Sequence, residues 1–357
     1  LTSNSTFFDP RNQGNARLGI SLTQPLFDRG GRVYSERLLT QARIDSRVSW
    51  QQMRGEVEQR VAEVVTAYWQ LYELRCHLLQ QADLLRRAER IEVLLDARRN
   101  FDAGRIELAK ARQRVARRAD RKLQLSGEVL KQQTRLASLV GTEVLLAAGG
   151  ELELIPRESP DFPALQLNLR DAVQRGIESR PEIRSATAAL ESAALSIRVT
   201  RSELRPQLTA VIDAYLAGLN GNYGAVNSFS DQFTGSGPGF GAGLQYDMPY
   251  GRRAARSRHR EAHHRFHQRS EELRETIQLT QAQIETALVN VNTAIASQQT
   301  KRRLLQTAID EETLLTRRWE MMAGDGNTVG TVLENLLDAQ QRRTDAEREW
   351  TSAQVEY

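Results

Sequence analysis

The sequence predicts a mainly helical fold built on very long antiparallel helical hairpins, with a few β-strands set between them. Three observations predict it. Proline and glycine are absent or nearly absent from two long stretches. Apolar residues in those stretches recur in a 4-3 rhythm. Three short segments elsewhere alternate strictly between apolar and small or polar residues.

Residues 18–23 are the first predicted strand. Leu18, Ile20 and Leu22 face one way and Gly19, Ser21 and Thr23 the other, because side chains alternate across a strand. Pro25 and the run Leu26-Phe27-Asp28-Arg29-Gly30-Gly31 end it. Residues 32–100 then contain no proline and one glycine, Gly55. Proline inside a helix costs ~3 kcal/mol and glycine ~1 kcal/mol. The stretch therefore reads as a single helix of about 100 Å at ~1.5 Å per residue. Such a helix outgrows a compact domain and implies a coiled coil or a helical tube. Val57, Val61, Val64, Tyr68, Leu71, Leu78 and Leu85 supply the 4-3 seam, with Arg75 and Ala82 at intervening steps. A second stripe, Val65, Tyr72 and Leu79, runs beside it. Two seams on one helix suit a neighbour on each side, as in a tube; one seam suits an ordinary antiparallel coiled coil.

Phe101-Asp102-Ala103-Gly104 is a turn signal, and residues 106–139 form the return helix. Glu151 to Leu165 is proline-rich and extended, and Leu169 to Gly176 is a short helix. Pro181 opens a helix over 181–203, at the first position, where proline is tolerated. Residues 207–216 and 239–250 are further strands: Leu208, Ala210, Ile212, Ala214 and Leu216 alternate with polar neighbours, and Phe240, Leu244, Tyr246 and Met248 alternate with Gly239, Gly241, Gly243 and Gln245. Between them, 218–237 reads as a long polar exposed loop. Residues 252–322 hold neither proline nor glycine and form the second long helix; Ala323-Gly324-Asp325-Gly326-Asn327 turns into a return helix over 331–357. An apolar face opposite a small and polar face is the pattern of a membrane-barrel strand. A small soluble antiparallel sheet alternates in the same way.

Strand, long helix, turn and helix thus occur twice, which predicts two internal structural repeats. The expected division is 1–141 (first repeat), 142–180 (linker, equatorial segment) and 181–357 (second repeat, with a helix and two strands before its hairpin). The first repeat lacks the helix and strand expected before Leu18, so the chain is expected to be an N-terminally truncated piece.

Composition excludes several functions. Lysine plus arginine number 49 and aspartate plus glutamate 45, for a net charge of +4. The two signs are interleaved, which argues against a nucleic-acid surface. One cysteine, Cys76, permits neither an internal disulfide nor a cysteine zinc site. No nucleophile motif, acid–base pair, phosphate loop or cofactor fingerprint stands out, so neither enzymatic activity nor a cofactor is expected. His259, His263 and His267 lie at i, i+4 and i+8 on one helical face, a spacing able to bind a transition metal. The alternative is a solvated face among Arg256, Arg258, Arg260 and Arg265, whose charge repels a cation.

The pieces Pro25-Leu26-Phe27-Asp28, Arg180-Pro181-Glu182-Ile183, Arg205-Pro206-Gln207-Leu208, Pro249-Tyr250-Gly251-Arg252-Arg253 and Leu337-Asp338-Ala339-Gln340 occur in a characteristic order. On these the chain resembles the TolC-like outer-membrane efflux proteins of Gram-negative bacteria, over almost its whole length. The resemblance implies a homotrimer: a trimeric α-helical barrel in the periplasm, capped by a 12-stranded β-barrel in outer-membrane lipid. It implies a passive exit duct of a tripartite efflux or type I secretion system, served by a periplasmic adaptor and an inner-membrane pump. It places Asp338 at the narrow tunnel entrance, with Asn335 where the family has a second acidic residue. It makes Gly104, Arg105, Gly324, Gly326 and Gly330 adaptor-contacting tips. A soluble coiled-coil scaffold or a periplasmic adaptor is the alternative; an adaptor would need a β domain inserted inside its hairpin, whereas here the strands flank the hairpins.

Overall fold

The computed structural model describes residues 14–27, 31–98, 105–143, 153–160, 168–220, 238–248, 250–321 and 326–357, with positions 226, 229, 230 and 233 besides. In chain order the elements are β1 (Gly14–Pro25), α1 (Arg32–Ser35), α2 (Arg37–Arg98), α3 (Arg105–Val140), α4 (Leu169–Ser179), α5 (Pro181–Ser202), β2 (Gln207–Asn220), β3 (Gly239–Asp247), α6 (Arg253–Met321) and α7 (Gly326–Glu356). The chain forms two compact units, 1–52 with 179–278, and 53–178 with 279–357. The long helices α2 and α6 each contribute residues to both.

The first unit carries an antiparallel sheet in the order β1-β2-β3. Residues directly opposite share a face, and the register sorts the two sets cleanly. Leu18 faces Leu216, Ile20 faces Ala214 and Leu22 faces Ile212, while Phe240, Leu244 and Tyr246 continue that face from Ala214, Ala210 and Leu208. The other face holds Gly19, Ser21 and Thr23 with Tyr215, Asp213 and Val211, then Gly239, Gly241 and Gly243. The alternation read from sequence is therefore real, but β1 and β2 are longer than expected and β3 is shorter, ending at Asp247 and not at 250. β1 has 12 residues and not six, because pairing with β2 extends to Gly14 and Pro25. β2 runs to Asn220, three residues into the stretch expected to be loop. The apolar face is exposed: Ile20, Phe240 and Leu244 are each more than 70% accessible.

Below the sheet, Ile44 of α2 packs on Ala188 and Leu195 of α5, with Val48 and Val199 alongside. The expected helix from 32 is interrupted at Glu36, whose backbone leaves the helical region (φ −91°, ψ 3°). The Ser35 hydroxyl donates to the Arg32 carbonyl at 3.2 Å, a local bond that competes with helix geometry. Gly251 (φ 78°) and Arg252 (φ 42°) form the left-handed turn that swings β3 into α6, a conformation glycine adopts freely and arginine does not.

In the second unit, two clusters make the core. Ala67 and Leu71 of α2 meet Val129 and Leu136 of α3. Ile91 and Leu95 of α2, Ala111 of α3, Trp319 of α6 and Val332, Leu333, Leu336 and Leu337 of α7 form the other. The seam on α2 differs from the expected one. Leu71 and Leu85 are buried as expected, but Ala67 and Gln81 take the steps assigned to Tyr68 and Ala82, Arg75 is only partly buried, and Val57 and Val61 are exposed. Close helix approach favours a small residue over a large one at the contact, so alanine displaces tyrosine from the seam. On α7, Val332, Ala339, Ala346 and Ala353 recur every seven residues and are all buried, and Leu333, Leu337, Gln340, Thr344 and Thr351 are a second buried row beside them. Trp319 packs in the core as expected, whereas Trp50 is exposed.

Candidate functional site

The strongest concentration of chemistry lies where four helices of the second unit meet, near the two hairpin ends. The polar contacts fix how they run. From α3 to α7, Lys110 pairs with Glu334 at 2.6 Å and Arg114 with Asp338 at 2.7 Å. Residue numbers rise together, so these helices lie parallel. From α2 to α3, Glu92 pairs with Arg112 at 3.2 Å, and the Gln81 side-chain amide donates to the Arg118 carbonyl at 2.9 Å. There the numbers run oppositely, as they do from α6 to α7, where Glu311 pairs with Arg342 at 2.6 Å and Trp319, further along α6, clusters with the earlier Val332 to Leu337 of α7. A cation at each step faces a carboxylate on the next helix, which sets lateral order and register by charge.

Two members of this lattice are buried. The Glu312 carboxylate, 6% accessible, accepts three hydrogen bonds: one at each oxygen from Arg87 Nη1 at 3.0 Å, and one from Arg343 at 2.8 Å. One acid on α6 thereby joins α2 and α7. Arg118 of α3 is 5% accessible and has no carboxylate in hydrogen-bond reach among the described residues. It donates to the Leu84 carbonyl, the Gln340 side chain and the Leu337 carbonyl at 3.1–3.2 Å. Burial above all, then the charges of Arg114 and Arg87, pulls its guanidinium down to about 10.

Asp338, the expected entrance acid, is half-exposed and engaged by Arg114 rather than free. Asn335 is exposed one turn toward the hairpin end. Gly330 backs onto Glu107 of α3: a Cβ there would lie 3.2 Å from Glu107 Oε1. Arg105 is the first residue of α3 and Gly326 the first of α7. Gly104 and Gly324 lie outside the described residues. An open cleft of about 410 Å³ runs along the parallel pair, lined by Glu107, Lys110, Arg114, Arg117, Gly330 and Glu334. The Glu334 hydrogen bond and charge raise the Lys110 ammonium above its usual range.

In the first unit, the His259 and His263 rings meet edge to face, 4.7 Å between centroids, and His259 Nδ1 lies 3.0 Å from the Thr200 hydroxyl. His267 contacts the Phe266 ring instead. Among the described residues, no three His, Cys, Asp or Glu side chains are placed to hold a metal ion. Cys76 is half-buried beside Tyr72, and burial raises its thiol above the usual range. The buried Arg–Glu centre was not read from sequence. Arginine and glutamate alternate throughout these helices, so nothing distinguishes Glu312 from its solvated neighbours.

Charged pairs hold the long helices side by side, and the sheet leaves an apolar face exposed. No helix among the described residues is long and apolar enough to cross a membrane. The chain belongs to the outer membrane efflux protein family, which matches residues 172–356, just over half of its length. Solved structures share the fold. The outer membrane protein VceC from Vibrio cholerae is 15% identical with a TM-score of 0.67, covering 97% of this chain and 86% of that one. The outer-membrane channel OprN is 16% identical with a TM-score of 0.69, covering 99% and 82%. CusC is 14% identical with a TM-score of 0.69, covering 99% and 84%. No curated protein sequence matches. Family membership gives the chain an efflux-channel role at the bacterial outer membrane, with a periplasmic extension.

Proposed function

We propose that the protein is one subunit of a homotrimeric, passive exit duct. It receives substrates from an inner-membrane pump through a periplasmic adaptor and performs no chemistry on them. The observation that carries the reading is the sheet. Its register collects the apolar side chains on one face and leaves that face exposed. Twelve residues at ~3.4 Å, tilted by about 45°, rise about 29 Å, the hydrocarbon thickness of a bilayer. The chain's β1-β2-β3 sheet contributes to a shared 12-stranded barrel. Exposed stripes on the helices support the trimer. Val57, Val61, Val65 and Leu79 on α2, and Leu279, Val289, Leu304 and Leu314 on α6, are 48–71% accessible within one chain, and neighbouring copies cover them.

The two hairpins are structural repeats, spanning 1–141 and 181–357, with 142–180 as the equatorial segment. The tips at Gly104–Arg105 and Gly324–Gly330 receive the adaptor, and Asp338 with Asn335 borders the entrance. Arg114 holds Asp338 at 2.7 Å, which makes that pair a candidate latch. The test is fractionation of the full-length protein, followed by detergent extraction and mass measurement of the oligomer. A detergent-dependent trimer from the outer-membrane fraction is expected. A monomer or dimer that stays soluble without detergent overturns the reading.

A further inference from the structure

We infer that an arginine collar, where the sheet meets the helices, binds anionic phospholipid headgroups of the membrane leaflet on that side. The inference rests on the proposed insertion of the sheet into the outer membrane.

Strand pairing brings three chain crossings to one end of the sheet: Pro25 lies opposite Thr209, and Gln207 opposite Asp247. The connections to α1, α5 and α6 leave from that end. β1 leads to α1, α5 leads into β2, and β3 leads to α6. Arg198, Arg201 and Arg205 precede β2; Arg253, Arg256 and Arg260 open α6. All six are exposed, and none has an ion-pair partner among the described residues. The nearby carboxylates are already engaged. Glu36 pairs with Arg32 at 2.7 Å, Glu203 with Arg258 at 3.1 Å and Glu261 with Arg265 at 2.5 Å. Asp247 lies on the polar face of the sheet, in line with Gly243 and Gln245. The collar is therefore a net cation, six exposed arginines against Asp247 as the described carboxylate left without an ion pair at that end.

Its height fits the ligand. The apolar face ends in Leu26, Phe27, Tyr246, Met248 and Tyr250, all exposed, and aromatic side chains concentrate at the membrane–water boundary. Two turns of α6 from Arg253 rise ~11 Å. The headgroup layer occupies roughly 5–8 Å on each side of the hydrocarbon, so Arg253 and Arg256 fall within it and Arg260 at its rim. Arginine suits phosphate: its fork bonds two oxygens at once and sheds water more readily than an ammonium. A bilayer surface, rather than a soluble phosphate, is the occupant because the cations continue directly from the exposed apolar face.

The test uses the full-length protein extracted from membranes and given an equimolar mixture of phosphatidylglycerol and phosphatidylcholine, with retained lipid counted by native mass spectrometry. Wild type is expected to hold the anionic lipid in about tenfold excess. The excess is expected to fall as salt rises from about 0.05 M to about 0.5 M. The variant Arg201→Gln/Arg205→Gln/Arg253→Gln/Arg256→Gln is expected near parity while still fractionating with the outer membrane. Arg43→Gln/Arg47→Gln/Arg269→Gln/Arg274→Gln, which removes as many charges further along α2 and α6, should keep the excess. Membrane-embedded wild type without a preference, or with one insensitive to salt, overturns the inference and leaves insertion standing, as does a collar variant that keeps the preference. Wild type absent from the membrane fraction overturns insertion and the inference together.

Discussion

Glu312→Ala is the most informative single change in the helical unit. The carboxylate is 6% accessible and accepts three charged hydrogen bonds from two arginines. Removing it strands the two cations unequally. Arg343 is 30% accessible and keeps Glu347 at 2.9 Å, so it relaxes toward water. Arg87 is 12% accessible and keeps only Asp83, at 2.6 Å; its Nε has no partner among the described residues. Breaking a buried ion pair from one side costs about 3–5 kcal/mol. Because Arg343 can escape, the lower end applies, about 3 kcal/mol. For a unit of this size each kcal/mol moves Tm by ~2–4 °C, so the loss should be about 6–12 °C. The assay is thermal loss of helical circular dichroism in detergent at fixed protein concentration. The second arm is the triple variant Arg87→Met/Glu312→Leu/Arg343→Met, expected within about 1 kcal/mol of wild type or above it, since an apolar set of similar volume avoids desolvating three charges. A Glu312→Ala shift under about 2 °C, or a triple variant worse than the single, would refute the claim that burial makes this centre different from the surface pairs.

Three further outcomes are expected. His77 sits between Glu73 at 3.9 Å, the Arg348 carbonyl at 3.4 Å and the Ser352 hydroxyl at 3.5 Å, and burial lowers its pKa, opposed chiefly by Glu73. The unfolded chain takes the proton first, so His77's share of stability is complete above about pH 6.5 and is lost as pH falls toward the folded-state value; Tm against pH should be flatter below that point for His77→Gln. Asp338→Asn breaks a half-exposed pair and should change stability by less than about 1 kcal/mol, yet lower cation selectivity in single-channel recordings if this residue rings the entrance. Gly239→Ala places a Cβ 2.5 Å from the Tyr215 ring and should cost about 1–3 kcal/mol, seen as less heat-resistant oligomer on gels, with Tyr215→Ala in the same chain relieving most of the loss.

The helix lengths were legible because breakers are costly. The expected ends of the two return helices and of α6 fall within a few residues of those found, except where α7 begins at Gly326, five residues early. The strands were legible in phase but not in length. Alternation marks which side chains share a face, while the extent of β1 is set by its partner, since Gly14 to Arg17 pair with Asn220 to Ala217. The seam on α2 was misread by one position at alternate steps. A hydrophobicity pattern favours Tyr68, whereas close packing selects Ala67 next to it. Asp338 was found only by resemblance. Its partner Arg114 was invisible because the contact joins residues 224 apart in sequence.

Near-balanced charge concealed two different uses of one residue type. Of 49 basic residues only four are lysine, a bias with no consequence for net charge. It matters where geometry is tight. Arg87 places one nitrogen between both oxygens of Glu312, and Arg118 reaches two carbonyls and an amide on two other helices. A planar fork with five donors and little hydration can do this inside a helix bundle; an ammonium, bound tightly to water, cannot do so at comparable cost. The same weak hydration lets arginine sit in a headgroup layer, where water is scarce and phosphate abundant. What separates the two settings is the supply of acids. In the buried centre of the bundle Arg87, Arg343 and Arg118 each meet a carboxylate or a carbonyl of the chain itself. At the collar Glu36, Glu203 and Glu261 are already paired and six arginines remain exposed against Asp247, so most of the charge balance there has to come from outside the protein.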